Sequence, residues 1–343
     1  MRIRSLGVAP GTLPTGRLNA ITDVPGVLVG QTTLTGDGVN TGVTAIVPPG
    51  FEAGVPGFEA GLPAAIAVGN GYGKLVGSTQ VDELGVLETP ILLTGTLSVF
   101  RVADALLTWL LDRDPSATSL NPVVGETNDG YLSDIRARPI TPAHVFAALD
   151  TASADLPAEG NVGAGTGTVA LGFKAGIGTA SRVVGSVDAP AGGRSVDGVV
   201  GVLVQANFSG VLTVLGAPIP APAETPVPEG NSCMIVVATD LPLDARQLGR
   251  VARRAVFALG RVGSDFSPGS GDYAIAFSTS RAAPMREYDL KAVFTACIEA
   301  VEEALLNSLT MASTVTGYGG NTQYAVPHEL ITNRARQLPR PAV

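Results

Sequence analysis

Short apolar runs between Gly- and Pro-rich turns dominate this chain. Residues 42–47, 64–68, 122–124, 199–205, 234–238 and 273–277 are each strand-like in length. Several are apolar at successive positions, the pattern of strands buried on both faces. Helical spacing appears in three segments. Val102, Leu106, Leu107, Leu110 and Leu111 predict a helix that ends by Asp114-Pro115. Leu248, Val251, Ala252, Ala255, Val256 and Leu259 predict a second, with Asp244 as its N-cap. Leu290, Phe294, Cys297, Ile298, Val301, Leu305 and Leu306 predict a third, with Asp289 near its start. Helices and strands alternate only in part, which favours a layered α+β fold over a doubly wound sheet. Residues 216–230 hold Pro218, Pro220, Pro222, Pro226 and Pro228 and predict an extended, exposed linker. No internal repeat divides the chain, and residues 1–343 are read as one domain.

Composition narrows the picture. Hydrophobic residues make up 45% and charged residues 15%, which predicts a heavily buried fold. Glycine, at 43 residues, permits close backbone packing and many tight turns. The net charge is −8, and the one basic cluster, Arg250 with Arg253 and Arg254, falls on a predicted helix. Nucleic acid is therefore not an expected partner. The two cysteines, Cys233 and Cys297, suit a reducing compartment and have no metal-ligand spacing. No apolar run is long enough to span a bilayer, and the first residues lack a signal-peptide pattern. The expectation is a cytoplasmic protein with no membrane partner.

Candidate chemistry concentrates where polar turns meet apolar strands. Gly230-Asn231-Ser232 precedes the run 234–238 and sets a hydroxyl at the strand mouth. Gly and Asn tolerate the backbone angles of a strained turn. A hydroxyl placed there can attack the carbonyl of Asn231 in an N→O acyl shift. Hydrolysis would leave Ser232 as a new N-terminus whose amine serves as its own general base. Ser270 and Asp272, two apart before residues 273–277, share one face of an extended strand. They could orient that amine; the plainer alternative is local turn capping. Glu126, Asn128 and Asn207 follow two further apolar runs. The amides suit an oxyanion, and the carboxylate suits a substrate ammonium.

Other constellations fail on spacing. The run Gly69-Asn70-Gly71-Tyr72-Gly73-Lys74 departs from a P-loop, and Leu75 follows the lysine instead of Ser or Thr. Gly163-Ala164-Gly165-Thr166-Gly167 lacks the strand and acidic residue of a dinucleotide site. Close backbone approach explains both loops better. Only His144 and His328 are available, and neither lies beside a nucleophile motif. A His-based triad and a His-ligated zinc are not expected. No cofactor or metal is implied.

In order, the chain carries Asn19-Ala20-Ile21-Thr22-Asp23-Val24-Pro25-Gly26, Gly71-Tyr72-Gly73-Lys74-Leu75 and Leu92-Leu93-Thr94-Gly95-Thr96. Then come Gly125-Glu126-Thr127-Asn128-Asp129-Gly130, Gly163-Ala164-Gly165, Val204-Gln205-Ala206-Asn207, Gly230-Asn231-Ser232 and Gly269-Ser270-Gly271-Asp272. Each stretch is weak alone, but the ordered set resembles the L-aminopeptidase/D-amidase–D-esterase family, which includes the β-aminopeptidases. The resemblance implies a self-processing serine hydrolase with a four-layer αββα sandwich, related to the Ntn hydrolases but differently connected. It implies cleavage between Asn231 and Ser232 into chains 1–231 and 232–343, and a tetramer of such pairs. It implies Ser232 as nucleophile, Ser270 and Asp272 as the orienting relay, Asn207 as oxyanion donor and Glu126 as acceptor of the substrate amine. Where the family is expected to place a second oxyanion donor, a tyrosine, this chain has Asn128, with Tyr131 as the alternative. Substrates would be small peptides, amides or esters with a free amine. Two rivals stand against this: an N-acyltransferase of the glutamate/ornithine acetyltransferase type, and an unprocessed binding protein.

Overall fold

The apolar runs become strands of two facing sheets. The computed structural model describes residues 1–51, 61–185, 197–222 and 231–337. Its principal strands are β1 (Leu28–Gly36), β2 (Val39–Val47), β3 (Leu62–Gly71), β4 (Val86–Leu87) and β5 (Ile91–Gly95). They continue with β6 (Val123–Thr127), β7 (Ile177–Val184), β8 (Gly198–Asn207), β9 (Asn231–Thr239) and β10 (Ser270–Ser278). The helices are α1 (Ser78–Leu84), α2 (Val99–Leu111), α3 (Pro142–Asp150), α4 (Ala245–Ala258), α5 (Leu290–Thr310) and α6 (His328–Gln337).

One sheet has four strands in the order β1-β2-β5-β6, and the other has six in the order β4-β3-β10-β9-β8-β7. Helices α2 and α3 cover the outer face of the first sheet, and α4 and α5 cover the outer face of the second. The result is an α+β, four-layer αββα sandwich. Strand β9 shows why its sequence is apolar throughout. Cys233, Ile235 and Val237 join the core under α4 and α5. Met234, Val236 and Ala238 join the core between the sheets. Burial on both faces demands an unbroken apolar run.

The predicted helices are present as α2, α4 and α5, and Asp244 caps α4 by accepting the Gln247 N–H at 2.7 Å. Strands β1 and β7 carry too many Thr, Gly and Ser residues for the apolar-run criterion to find. In β7 the polar residues are buried for a reason. Arg182 is fully buried and meets Glu299 at 3.2 Å and Glu303 at 2.7 Å, both on α5. The expected linker differs from an exposed, extended segment over its first part. Residues 217–218 pair with 213–214, and Ile219 is buried with its N–H on the Leu212 carbonyl at 2.6 Å. Residues 223–230, including Gly230, lie outside the described residues.

The second Gly-rich loop is a site of close approach, whereas in the first a side chain on Gly71 would have no neighbour nearer than 3.9 Å. A side chain on Gly163 would fall 2.3 Å from Thr44 Oγ1, one on Gly165 2.4 Å from the Ile177 nitrogen, and one on Gly167 2.2 Å from the Asn40 carbonyl. The histidines bond to backbone groups: His144 Nδ1 accepts the Thr141 N–H at 3.1 Å at the start of α3, and His328 Nε2 meets the Thr310 carbonyl at the end of α5 at 2.9 Å. The basic cluster on α4 is engaged in packing. Arg254 stacks over Phe294 at 3.5 Å, and Arg250 pairs with Glu287. Among the described residues, no helix is long and apolar enough to cross a membrane.

Candidate active site

The polar ends of four neighbouring strands converge. Ser232, only 2% exposed, stands directly opposite Asn207 in the antiparallel pair β8–β9. On its other side β9 runs parallel to β10, where Asn231 pairs with Ser270, Ser232 with Gly271, and Cys233 with Asp272. The Asn231–Ser232 peptide therefore lies beside the segment that carries Ser270 and Asp272. The side-chain alternation of β9 sends Ser232 toward the space between the sheets and Cys233 toward the helix layer. The sequence pattern puts these residues at strand mouths. In the structure Asn207 ends β8 and Ser270 begins β10, with Ser232 second in β9 and Asp272 third in β10, so strand pairing fixes their backbones.

Ser270 and Asp272 form a connected pair. Ser270 Oγ donates to Asp272 Oδ1 at 2.7 Å, and Asn70 Nδ2 donates to Asp272 Oδ2 at 3.0 Å. Burial raises the Asp272 carboxyl above its ordinary value, against the lowering effect of those two hydrogen bonds. Cys233 faces the same carboxylate from a fully buried position. Burial, then the nearby Asp272 charge, push its thiol well above the ordinary range. A thiol so held carries no thiolate at neutral pH and is a poor nucleophile.

Asn207 is fixed at both ends of its amide. Its Oδ1 accepts the Val169 N–H at 2.9 Å, and its Nδ2 donates to the Asn128 carbonyl at 3.0 Å. Asn128 thus reaches the cluster through its backbone, while its own Oδ1 accepts the Gly130 N–H at 3.0 Å. Tyr131 lies in the following turn, where its carbonyl accepts from Asn321 Nδ2 at 2.9 Å. Its phenol takes part in none of the hydrogen bonds among the described residues. Of the two alternatives for a second donor, Asn128 touches the cluster through its carbonyl, which accepts from Asn207 Nδ2.

Glu126 completes the site from the facing sheet. The β6 strand lies across from β9, and a side chain on Gly125 would come within 2.3 Å of Met234 Cε. Gln205 ties the two sheets together, donating from Nε2 to Thr94 O, Thr127 Oγ1 and Ala164 O at 3.1, 2.8 and 2.9 Å. Glu126 Oε1 accepts the Lys74 N–H at 3.0 Å, whereas the buried Oε2 has no hydrogen-bond partner. Burial raises this carboxyl, against the lowering effects of Lys74 and Thr96. An orphaned carboxylate oxygen inside a protein is costly unless a ligand cation completes it.

Three residues of the site have no counterpart in the sequence reading. Asn70 holds Asp272, Lys74 holds Glu126, and Tyr273 sits close to both Glu126 and the Gly73 backbone. Burial, then Glu126 and Asp272, raise the Tyr273 phenol above its ordinary value. Alternation along β10 could have found Tyr273, since it faces opposite to Asp272 and so toward the inter-sheet space. Lys74 and Asn70 carry no periodic signal, because the long-range β3–β10 pairing sets their positions.

Comparison with known proteins finds relatives along nearly the whole chain. The model of "Peptidase family S58" matches residues 19–323. A β-peptidyl aminopeptidase from Sphingosinicella xenopeptidilytica is 40% identical, across 96% of this chain and 89% of its own. A Burkholderia sp. β-aminopeptidase structure superposes with a TM-score of 0.86 at 37% identity, covering 99% of this chain and 100% of that one. The L-aminopeptidase D-Ala-esterase/amidase from Ochrobactrum anthropi has a TM-score of 0.84 at 35% identity, covering 98% and 99% of the two chains. That enzyme is described as a prototype of the serine aminopeptidases and a new variant among the Ntn hydrolase fold. The comparisons support a hydrolase of the aminopeptidase/amidase kind and give no support to the acyltransferase or binding-protein readings. By the span of the family match and the identity to its relatives, the chain belongs to peptidase family S58.

Proposed function

We propose that the protein cleaves itself between Asn231 and Ser232 and then removes small N-terminal residues from peptides, amides or esters through an acyl-enzyme on Ser232. The observation that carries this reading is the strand register: Ser232 stands opposite Asn207 on one side and opposite Gly271, between Ser270 and Asp272, on the other. In the first reaction Ser232 Oγ attacks the Asn231 carbonyl, and water hydrolyses the resulting ester. The released amine lies beside Ser270 Oγ, itself oriented by Asp272. In turnover that amine takes the proton of Ser232 Oγ as it attacks the substrate carbonyl. It then gives the proton to the leaving nitrogen. Asn207 Nδ2 donates to the developing oxyanion, with Asn128 fixing its amide. Glu126 Oε2 accepts the substrate ammonium and so counts back from the free N-terminus to the scissile bond.

The relatives are named a β-peptidyl aminopeptidase and an L-aminopeptidase D-Ala-esterase/amidase, which supports peptides, amides and esters with a free amine as substrates. Further elements of the reading are a homotetramer and a cytoplasmic location. The location rests on two buried, unpaired cysteines.

The test is covalent labelling. A serine-directed acylating reagent should modify the Ser232 residue of wild type and of Cys233→Ala, and should leave Ser232→Ala unlabelled and inactive. Loss of labelling in a folded Cys233→Ala variant would move the nucleophile to the thiol.

A further inference from the structure

The proposed reading uses Glu126 but gives Lys74 no part in substrate binding. Lys74 follows β3 in the turn Gly71-Tyr72-Gly73. Its backbone N–H holds Glu126 Oε1 at 3.0 Å. A side chain on Gly73 would stand 3.0 Å from the Tyr273 ring and 3.1 Å from Glu126 Oε1, so the turn is packed tightly against the site. The Lys74 side chain folds back over the carboxylate. Its Nζ donates to Thr96 Oγ1 at 2.8 Å and stops 3.8 Å from Glu126 Oε1. The latter distance is an ion pair but too long for a hydrogen bond. An ammonium has three donors, so this one retains hydrogen-bonding capacity. The Lys74 side chain is 43% exposed and that of Glu126 only 2%, which puts the cation at the rim and the anion within.

Two unfilled capacities therefore lie side by side. Glu126 Oε2 needs a cationic donor, and Lys74 Nζ can take an anionic acceptor. A simple ammonium satisfies the first and is repelled by the second. A group whose ammonium and carboxylate hang from one carbon satisfies both.

We propose that the preferred substrates are β-aspartyl (isoaspartyl) peptides, with the ammonium on Glu126 Oε2 and the adjacent α-carboxylate on Lys74 Nζ. This rests on the aminopeptidase reading and names its substrate class. In a β-aspartyl peptide the scissile carbonyl is one methylene removed from the carbon that bears the amine, the spacing found in a β-peptide. Ser232 Oγ attacks that carbonyl carbon, and the C–N bond to the next residue breaks. The departing nitrogen receives the serine proton by way of the N-terminal amine. Water then splits the ester, releasing free aspartate and restoring Ser232.

The experiment compares β-aspartyl-leucine, α-aspartyl-leucine and β-alanyl-leucine with wild type, Lys74→Met and Lys74→Arg. Wild type should prefer β-aspartyl-leucine in kcat/KM by roughly 10- to 100-fold, the size of one charged hydrogen bond. Lys74→Met should lose that preference and turn over β-alanyl-leucine better than wild type does, since a competing cation is gone. Lys74→Arg should keep most of the preference. Wild-type cleavage of β-alanyl-leucine but not of β-aspartyl-leucine would overturn the proposal alone, and so would an equal fall on all three dipeptides in Lys74→Met. Failure to cleave any of the three would overturn the aminopeptidase reading with it.

Discussion

At the scale of single residues, the site depends on a buried carboxylate left half satisfied. Glu126 is 1% exposed, and one of its oxygens has no partner. A substrate ammonium would supply a charge-assisted bond, so N-acetylated substrates should be poor. Glu126→Gln should lower kcat/KM on free-amine alanyl p-nitroanilides by about 10- to 100-fold and have little effect on their N-acetyl forms. An unchanged ratio between the two would remove Glu126 from substrate binding. The pH profile follows from the same burial. Glu126 binds an ammonium only when ionised, and burial holds its carboxyl above the ordinary value. Activity should therefore be absent at acid pH and rise with pH, with the midpoint of the acid limb above the usual carboxylate range of about 4. Glu126→Gln should abolish this limb's dependence on the free amine. Ser232, Ser270, Asp272 and Glu126 were legible in the sequence as candidates because each stands at one end of an apolar run. Lys74 was not: its turn read only as a failed phosphate loop, and its contact with Glu126 depends on pairing across the sheets.

At the scale of elements, the outer helix α5 is fastened to β7 by buried charge. Arg182 donates to Glu299, to Glu303 and to the carbonyls of Pro10 and Ser181. Burial pushes Glu303 up, but Arg4 and Arg182 outweigh it and leave the carboxyl below its ordinary value. Removing one member strands the others. Arg182→Met should cost about 3–5 kcal/mol, because it leaves two buried glutamates without that partner. Thermal unfolding of this variant in a Ser232→Ala background, where the chain stays whole, measures the loss; a change near zero would show that α5 is held by apolar packing alone. The sign with pH is fixed. A lowered folded value stabilises above the unfolded pKa, and that contribution disappears as pH falls through the folded value. Helices α4 and α5 were legible because one amphipathic face repeats along each. Strand β7 was not, because Thr179, Ser181 and Arg182 are buried polar residues whose partners lie far along the chain.

At the scale of the whole molecule, the proposed cleavage would divide the chain without dividing the fold. Residues 232–239 and β10 would belong to the second fragment. In the six-stranded sheet they are flanked by β8 on one side and β3 on the other, both from the first fragment. Each fragment thus supplies strands that the other must pair, and the inter-sheet core draws on both. The fragments should co-elute in native chromatography and separate only in denaturant; separation under native conditions would contradict a shared core. The most direct measurement of the central claim is the intact mass of active, purified protein under denaturing conditions. The account predicts two masses, those of residues 1–231 and 232–343, with Ser232 at the N-terminus of the smaller. It predicts one full-length mass for Ser232→Ala. A single full-length mass for fully active wild type would contradict it.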